Sequence, residues 1–430
     1  MRRLLLLTGL AATALAAPSA AADQKLPSFA APAAYKTGAG PIAMATGDVN
    51  GDGKPDLVTA DYGADGVSLL LNTGDGAFQA ARAYDTGTTP FAVAVGDLNG
   101  DGKADVVTAN FWEDTISVLL ADASGGLAAR HDYGADVGPA DITVADVTGD
   151  GKADLVVAND ESSTVSIFPG NGNGTLGARR DLPAGAGTDA IAVADLNGDG
   201  KLDLATGNGV AETITILLNQ GGGNFAPAVG YPFGGGWPLL IAGDLNGDGR
   251  PDLVADDAEG IKVLLNHGDG SFAPARRYPF YGYLALGDLN GDGAPDLLTS
   301  GVSALINGGD GKFLANASYP GGGPLALADF NGDGRLDFAS AGGYDDEPGT
   351  VWVQLNTPGL CNVQEVAGLT PAAAKRVLGS VNCKVGKVTH AHTNRAKKGR
   401  VANYSPKFGA VLPGGGKVNL VVSLGPRPKR

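Results

Sequence analysis

Seven times along the chain, oxygen-bearing side chains recur at positions 1, 3, 5 and 9 of a nine-residue stretch with glycine at position 6. The second copy reads Asp97-Leu98-Asn99-Gly100-Asp101-Gly102-Lys103-Ala104-Asp105. Carboxylates crowded into so short a turn repel one another unless a cation sits between them. Alternate residues of a tight loop can converge on one ion, and hard oxygen donors without His or Cys select calcium over zinc or copper. In the first copy the ligands are Asp48, Asn50, Asp52 and Asp56 with the carbonyl of Lys54. The same positions give Asp97, Asn99, Asp101 and Asp105 with Lys103, then Asp146, Thr148, Asp150 and Asp154 with Lys152. Next come Asp195, Asn197, Asp199 and Asp203 with Lys201, and Asp244, Asn246, Asp248 and Asp252 with Arg250. The last two are Asp288, Asn290, Asp292 and Asp296 with Ala294, and Asp329, Asn331, Asp333 and Asp337 with Arg335. Up to seven structural calcium ions are expected, the weakest in the third copy, where Thr148 replaces Asn.

The elements that must hold these loops follow from spacing. Successive copies start 49, 49, 49, 49, 44 and 41 residues apart, a period that belongs to solenoids and propellers. A helical calcium loop needs a bidentate Glu at position 12; here that position holds Thr59, Thr108, Val157, Thr206, Ala255, Thr299 and Ser340. Apolar, β-branched residues after position 9, as in Asp105-Val106-Val107-Thr108, place the loop between two strands. The metal-free alternative is a set of Asx turns, but turn chemistry alone does not call for three carboxylates seven times over.

Each repeat then reads as four strands: an alternating run before the loop (Phe91 to Val95), the run after it (Asp105 to Ala109), and another alternating run (Ile116 to Leu120). A fourth follows a glycine turn such as Asn266-His267-Gly268-Asp269-Gly270. Seven such repeats specify a mainly β fold, a seven-bladed β-propeller. The last repeat stops after its third strand, Val351 to Leu355, yet Phe29 to Tyr35 matches fourth strands such as Phe272 to Tyr278. Residues 29–38 are therefore expected to close the last blade and remove the ring's open edge.

These units resemble FG-GAP/VCBS repeats, the units of integrin α-chain propellers and of many secreted bacterial proteins, over residues 29–357. The resemblance implies blades with calcium loops. It implies no single activity, because the fold hosts adhesion modules, lectins and the catalytic domains of some polysaccharide lyases.

Strand direction puts calcium loops and glycine turns on one face and the remaining loops on the other. That other face receives Phe111, Trp112, Glu113 and Asp114, then Asp256, Asp257 and Glu259, and also Trp237, Tyr281 and Tyr344 with Asp345 and Asp346. Aromatic walls beside acidic and amide groups stack on sugar rings and bond their hydroxyls, so Trp112, Trp237 and Tyr281 are the candidate ligand contacts. The bland reading is solvated acidic loops with both tryptophans packed between blades. Trp352 alternates within a strand and is expected in the core.

Met1-Arg2-Arg3, the apolar run Leu4 to Ala17 and Ala20-Ala21-Ala22 read as a secretory signal peptide over residues 1–22. No later segment is apolar for long enough to anchor the chain in a membrane. The mature protein is expected outside the cell, secreted or associated with the wall. Its charge is split: residues 23–359 hold 16 Lys and Arg against 45 Asp and Glu, whereas residues 360–430 hold 13 against 1. Such asymmetry marks two domains, a propeller over 23–357 and a basic module over 360–428.

In the basic module Thr370 is a good N-cap and Pro371 suits the first turn of a short helix. Val363, Gly368-Leu369-Thr370, Gly386-Lys387-Val388, Lys398-Gly399-Arg400-Val401, Ser405-Pro406 and Val418 to Ser423 together resemble a PASTA domain. That resemblance implies attachment to peptidoglycan or dimerisation of penicillin-binding proteins and receptor kinases, although Gln364 stands where the family has Pro. Cys361 and Cys383 are the only cysteines, and in an exported chain a disulfide is their natural pairing; zinc with His390 and His392 is the alternative. Arg395, Lys397, Lys398 and Arg400 suit an anionic wall polymer, while export and the lack of interleaved aromatics argue against nucleic acid. The basic module is also a candidate to dock on the propeller's acidic loop face.

The chain shows neither a Ser-His-Asp set nor a nucleotide loop. The expectation is a non-catalytic binding or adhesion protein for glycan or wall polymer. One rival is an enzyme on the propeller, a polysaccharide lyase, for which His131 and His267 are the only propeller histidines, or a hydrolase using carboxylates such as Asp256 and Asp257; the other is a scaffold for extracellular proteins.

Overall fold

The computed structural model describes residues 26–426 except 235, 237, 344–346 and 395. The expected signal segment, Trp237, the trio Tyr344, Asp345 and Asp346, and Arg395 lie outside the described residues. Seven four-stranded antiparallel sheets account for residues 33–354. The second sheet is representative: Pro90–Gly96, Asp105–Asn110, Thr115–Leu119 and His131–Gly134, hydrogen-bonded in that order. In the first five sheets the strand that follows the Asp-rich loop is buried at every residue. A continuous apolar run covered on both faces explains this, because each sheet stacks against its two neighbours. Val58, Val67, Val93 and Val106, for example, form one core between the first and second sheets.

The first strands of successive sheets touch in order, and the cycle closes where Pro41–Gly47 meets Leu325–Ala328. Repeated four-stranded sheets in such a cycle are consistent with a propeller. The seventh sheet takes its outer strand, Ala33–Ala39, from near the start of the chain, with Ala33 opposite Val353 and Tyr35 opposite Val351. This strand begins later than Phe29. Pro32 has no N–H for the ladder, and Phe29 makes only an isolated bridge to Asn356. The Phe29 ring turns inward instead, 4.8 Å from Tyr319 and 4.7 Å from Phe338. Trp352 also departs from expectation: it is half-buried, because Ala34 and Ser340 opposite it are too small to cover an indole.

The C-terminal module has a three-stranded sheet, Lys384–Ala391 parallel to Lys417–Ser423, which pairs antiparallel with Val401–Ser405. Its helix, Pro371–Ser380, is capped by Thr370, whose hydroxyl accepts the N–H of Ala373 at 3.2 Å. Cys361 and Cys383 are disulfide-bonded, so neither is available to zinc, and His390 and His392 are exposed. The module shares one apolar core with the sixth and seventh sheets, including Phe29, Tyr319, Phe338, Val363, Leu378 and Val418.

Two amides seal that junction. Asn362 accepts the N–H of Phe29 at 3.0 Å and donates to its carbonyl at 2.7 Å; Gln364 does the same for Ser318, both at 2.9 Å. Among the described residues no salt bridge links the module to the sheets. Docking is therefore apolar and amide-mediated, on the flank of the last two sheets, and not an ionic contact with the acidic loop face.

Candidate metal centres and ligand face

Each Asp-rich loop is wound by its own backbone. In the second, Asp97 accepts N–H groups from Gly100 at 2.7 Å, Asp101 at 3.2 Å and Gly102 at 2.8 Å. Asn99 accepts from Asp101 at 2.8 Å and Asp101 from Lys103 at 3.0 Å. Gly100 and Gly102 sit at φ +77° and +82°, where a side chain would be strained. In the third loop the Thr148 hydroxyl donates to Asp146 at 3.4 Å.

Position 9 is different. Asp105 is fully buried; one oxygen takes the N–H of Leu98 at 2.9 Å and the other that of Ala121 at 2.7 Å, just past the third strand. Asp56, Asp154, Asp203, Asp252, Asp296 and Asp337 repeat this second bond. Burial pushes the carboxyls of Asp56 and Asp337 up to about 6 and that of Asp296 up to about 7. The loop carboxylates add to this: Asp288 and Asp292 raise Asp296, while the N–H donors of Asn307 and Leu289 hold it down. At position 7 the basic side chains reach over the glycine turn: Lys103 to the carbonyl of Asp122 at 2.8 Å, Arg250 to that of His267 at 2.9 Å.

The seven candidate ligand sets thus each lie in one turn, as oxygen donors only, and the position-9 carboxyl of each is buried. Those features fit a hard divalent cation. Among the described residues no three carboxyl, imidazole or thiol groups form a ready-made cage. An ion would have to compete with backbone N–H groups for the carboxylates of positions 1, 5 and 9.

A further recurring residue lies outside the nine-residue stretch. Asn266 donates to the carbonyl of Pro251, at position 8 of its own loop, and to that of Leu196, at position 2 of the preceding loop, both at 2.9 Å. Asn72, Asn219, Asn307 and Asn356 make the same pair of bonds. Asn72 reaches Phe330 and so ties the first loop to the seventh. The second and third repeats have Ala121 and Gly170 there. Its recurrence after the third strand in the other five repeats was visible in the sequence, but its partner in the preceding sheet was not.

On the opposite face the candidate residues separate. Trp112 is 56% exposed and Tyr281 44%; the first lies in the second sheet and the other between the fifth and sixth. Asp256 accepts N–H groups from Leu239 at 2.7 Å and Gly282 at 3.1 Å. Asp257 is ion-paired with Lys262 and Arg277. Adjacent in one strand with separate partners, they are not a facing acid–base pair. A cleft of about 270 Å³ lies where the module meets the sheets, lined by Leu26, Asn290, Arg335, Asn356 and Asn382 among others. Its one ionisable lining group, Arg335, is already engaged with Asp333 and the Asn356 carbonyl.

An FG-GAP-like repeat family matches six overlapping stretches, 48–108, 97–157, 146–206, 195–255, 244–299 and 288–340, and a PASTA domain matches 362–424. The repeats cover more than half of the chain, which therefore belongs to the FG-GAP-like repeat family and carries a C-terminal PASTA domain. Among solved structures, BBS1N in complex with ARL6DN is similar at 12% identity and TM-score 0.55, over 77% of this chain and 97% of that one; the likeness is one of fold. An Agrocybe aegerita lectin that recognises non-reducing terminal N-acetylglucosamine matches at 25% identity and TM-score 0.48, over 65% of this chain and 80% of that one. A Lactobacillus plantarum protein matches at 18% identity and TM-score 0.47, over 66% and 85%.

Proposed function

We propose that the protein is an exported, non-catalytic glycan-binding propeller of seven blades, stapled by structural calcium and held at the cell wall by its PASTA domain. The observation that carries this reading is the division of labour on the loop face: its buried carboxylates are consumed by structural partners, while aromatic rings stand exposed. Exposed rings with nearby acceptors suit binding, and the Asp256 and Asp257 carboxylates that a hydrolase would use as acid and base are engaged elsewhere. Calcium would be held by positions 1, 3, 5 and 9 and the position-7 carbonyl, where it supplies charge neutralisation between strands and no reaction step. Export is supported by the disulfide, which belongs to oxidising compartments. No helix of the described residues is long and apolar enough to cross a membrane.

The test is a glycan array, including peptidoglycan fragments, probed with the mature chain in calcium and again in chelator. Calcium-dependent retention of a chemically intact sugar is expected. Shortened or unsaturated products would overturn the non-catalytic reading; no retained glycan would overturn the glycan reading in favour of a protein partner.

A further inference from the structure

The second sheet differs from its neighbours at two places on the loop face. After the second strand the first, third and fourth sheets carry Tyr62-Gly63, Asp160-Glu161 and Gly209-Val210; the second carries Phe111-Trp112. The residue entering the first strand is a left-handed glycine in those three sheets, Gly40, Gly138 and Gly187, but Thr89 in the second, at φ +53°. The positions correspond, because each of the four carbonyls accepts an N–H from its own second-to-third-strand loop. A β-branched residue at positive φ is a genuine outlier, and such residues gather where the surroundings over-determine a functional geometry.

The surroundings here are ordered around Trp112. Its ring packs edge-on against Phe111 at 4.9 Å, Phe111 stacks on Phe91 at 4.5 Å, and Tyr62 closes the row at 5.6 Å from Phe91. Thr89 donates its backbone N–H to Asp65 at 2.8 Å, and its hydroxyl accepts the backbone N–H of Trp112 at 3.4 Å. Glu113 accepts the N–H of Thr88 at 2.7 Å, and Asp114 that of Gly138 at 2.9 Å. An exposed indole thereby stands at the end of a row of rings, on a loop whose neighbouring backbone is held by three carboxylates. Those carboxylates keep lone pairs for hydroxyl donors and repel anions. A protein partner needs about 800 Å² on each side of a stable interface, whereas one indole matches the apolar face of one pyranose.

We infer that the Trp112 loop of the second sheet is a recognition site for an uncharged pyranose, selecting against uronate and sulfated sugars. This rests on the glycan-binding reading above and assigns it a place and a charge preference. The experiment uses the mature full chain, wild type, Trp112→Ala, Trp112→Phe and Thr89→Gly, on a printed array of neutral, uronate-bearing and sulfated glycans. The tightest neutral hit is then titrated by calorimetry. Expected are neutral hits only, about tenfold or greater weakening in Trp112→Ala, near-retention in Trp112→Phe, and a smaller loss in Thr89→Gly with melting unchanged. Neutral hits held equally by Trp112→Ala, or hits that are chiefly anionic, would overturn this inference and leave glycan binding standing. Retention of no glycan by wild type would overturn both.

Discussion

In the first sheet Asp61 occupies the place held by Asn110, Asn159 and Asn208 in the next three. It is 1% exposed. Burial pushes its carboxyl from 3.8 up to about 6, and hydrogen bonds from Ser68, Thr59 and Gly38 only partly offset this. An acid whose folded-state pKa lies above its unfolded value stabilises the fold in full only below the unfolded value. That contribution is lost as pH rises through the folded one. The window here is therefore about pH 4 to 6, and a displacement of about two units corresponds to roughly 3 kcal/mol lost by pH 7. An asparagine avoids the loss and has a ready geometry. In the second sheet Asn110 donates to Ser117 at 2.9 Å while Gly87 donates to the same hydroxyl at 3.0 Å; Ser68 and Gly38 stand in the same relation, 3.0 Å apart. Asp61→Asn should match the wild type near pH 4 and exceed it by up to roughly 3 kcal/mol above pH 7. The readout is paired denaturation midpoints across buffers at fixed calcium. Parallel profiles for the two proteins would refute the reasoning.

Asn266→Ala removes the bonds to the Pro251 and Leu196 carbonyls and the one from the Gly268 N–H, while Leu196 keeps the Gly270 N–H; at about 1 kcal/mol each it should cost roughly 2–3 kcal/mol in denaturant, and an unchanged midpoint would show that the amide ties nothing. The second sheet has no such amide tie on either side, since Ala121 and Gly170 replace it. Its strand Asp105–Asn110 should exchange amide hydrogens faster than Asp252–Asp257, and equal protection would count against the tie. Chelator should lower the melting temperature of the full chain and added calcium restore it; an unchanged melt with no metal by elemental analysis would remove the calcium reading. The apolar and amide junction with the PASTA domain predicts a radius of gyration by X-ray scattering that stays constant from low to high salt, whereas expansion with salt would point to ionic docking.

Much of the fold was legible because it is written locally. Alternation, β-branched runs and glycine turns mark four strands per repeat, and Thr370-Pro371 marks the helix start. The pairing of the first strand with the last could be read because both ends matched pieces of a repeat seen whole elsewhere. What escaped was decided across the chain. Trp352 is half-buried because of what lies opposite it two strands away. Position 9 could be read as an oxygen donor, but its second partner lies past the third strand. The basic module's charge suggested ionic docking, yet a charge must be desolvated to be buried at an interface. The junction instead uses Asn362, Gln364 and an apolar core. Gln364, the departure from the PASTA pattern, is thus explained by its bonds to Ser318 rather than by the module's own fold.

Near-identity among the repeats makes their differences informative. A closed cycle of sheets needs each one to fit two neighbours, so the shared residues are those that wind the loops, fill the cores between sheets and tie one loop to the next. Residues that break the pattern serve something other than that fit. In the second sheet the breaks coincide: the glycine that eases entry to the first strand is Thr89, the following loop raises Trp112 into solvent, and the amide ties to both neighbours are missing. The backbone bonds from Ala104 to Asp48 and from Gly174 to Leu98 remain, so the sheet keeps its place in the cycle. Binding loops belong to the less stable part of a fold, and here the sheet without an amide tie on either side is the one that presents the exposed indole. The ring thus gains its stability from what the repeats share, and its candidate recognition site lies where the second repeat departs from that.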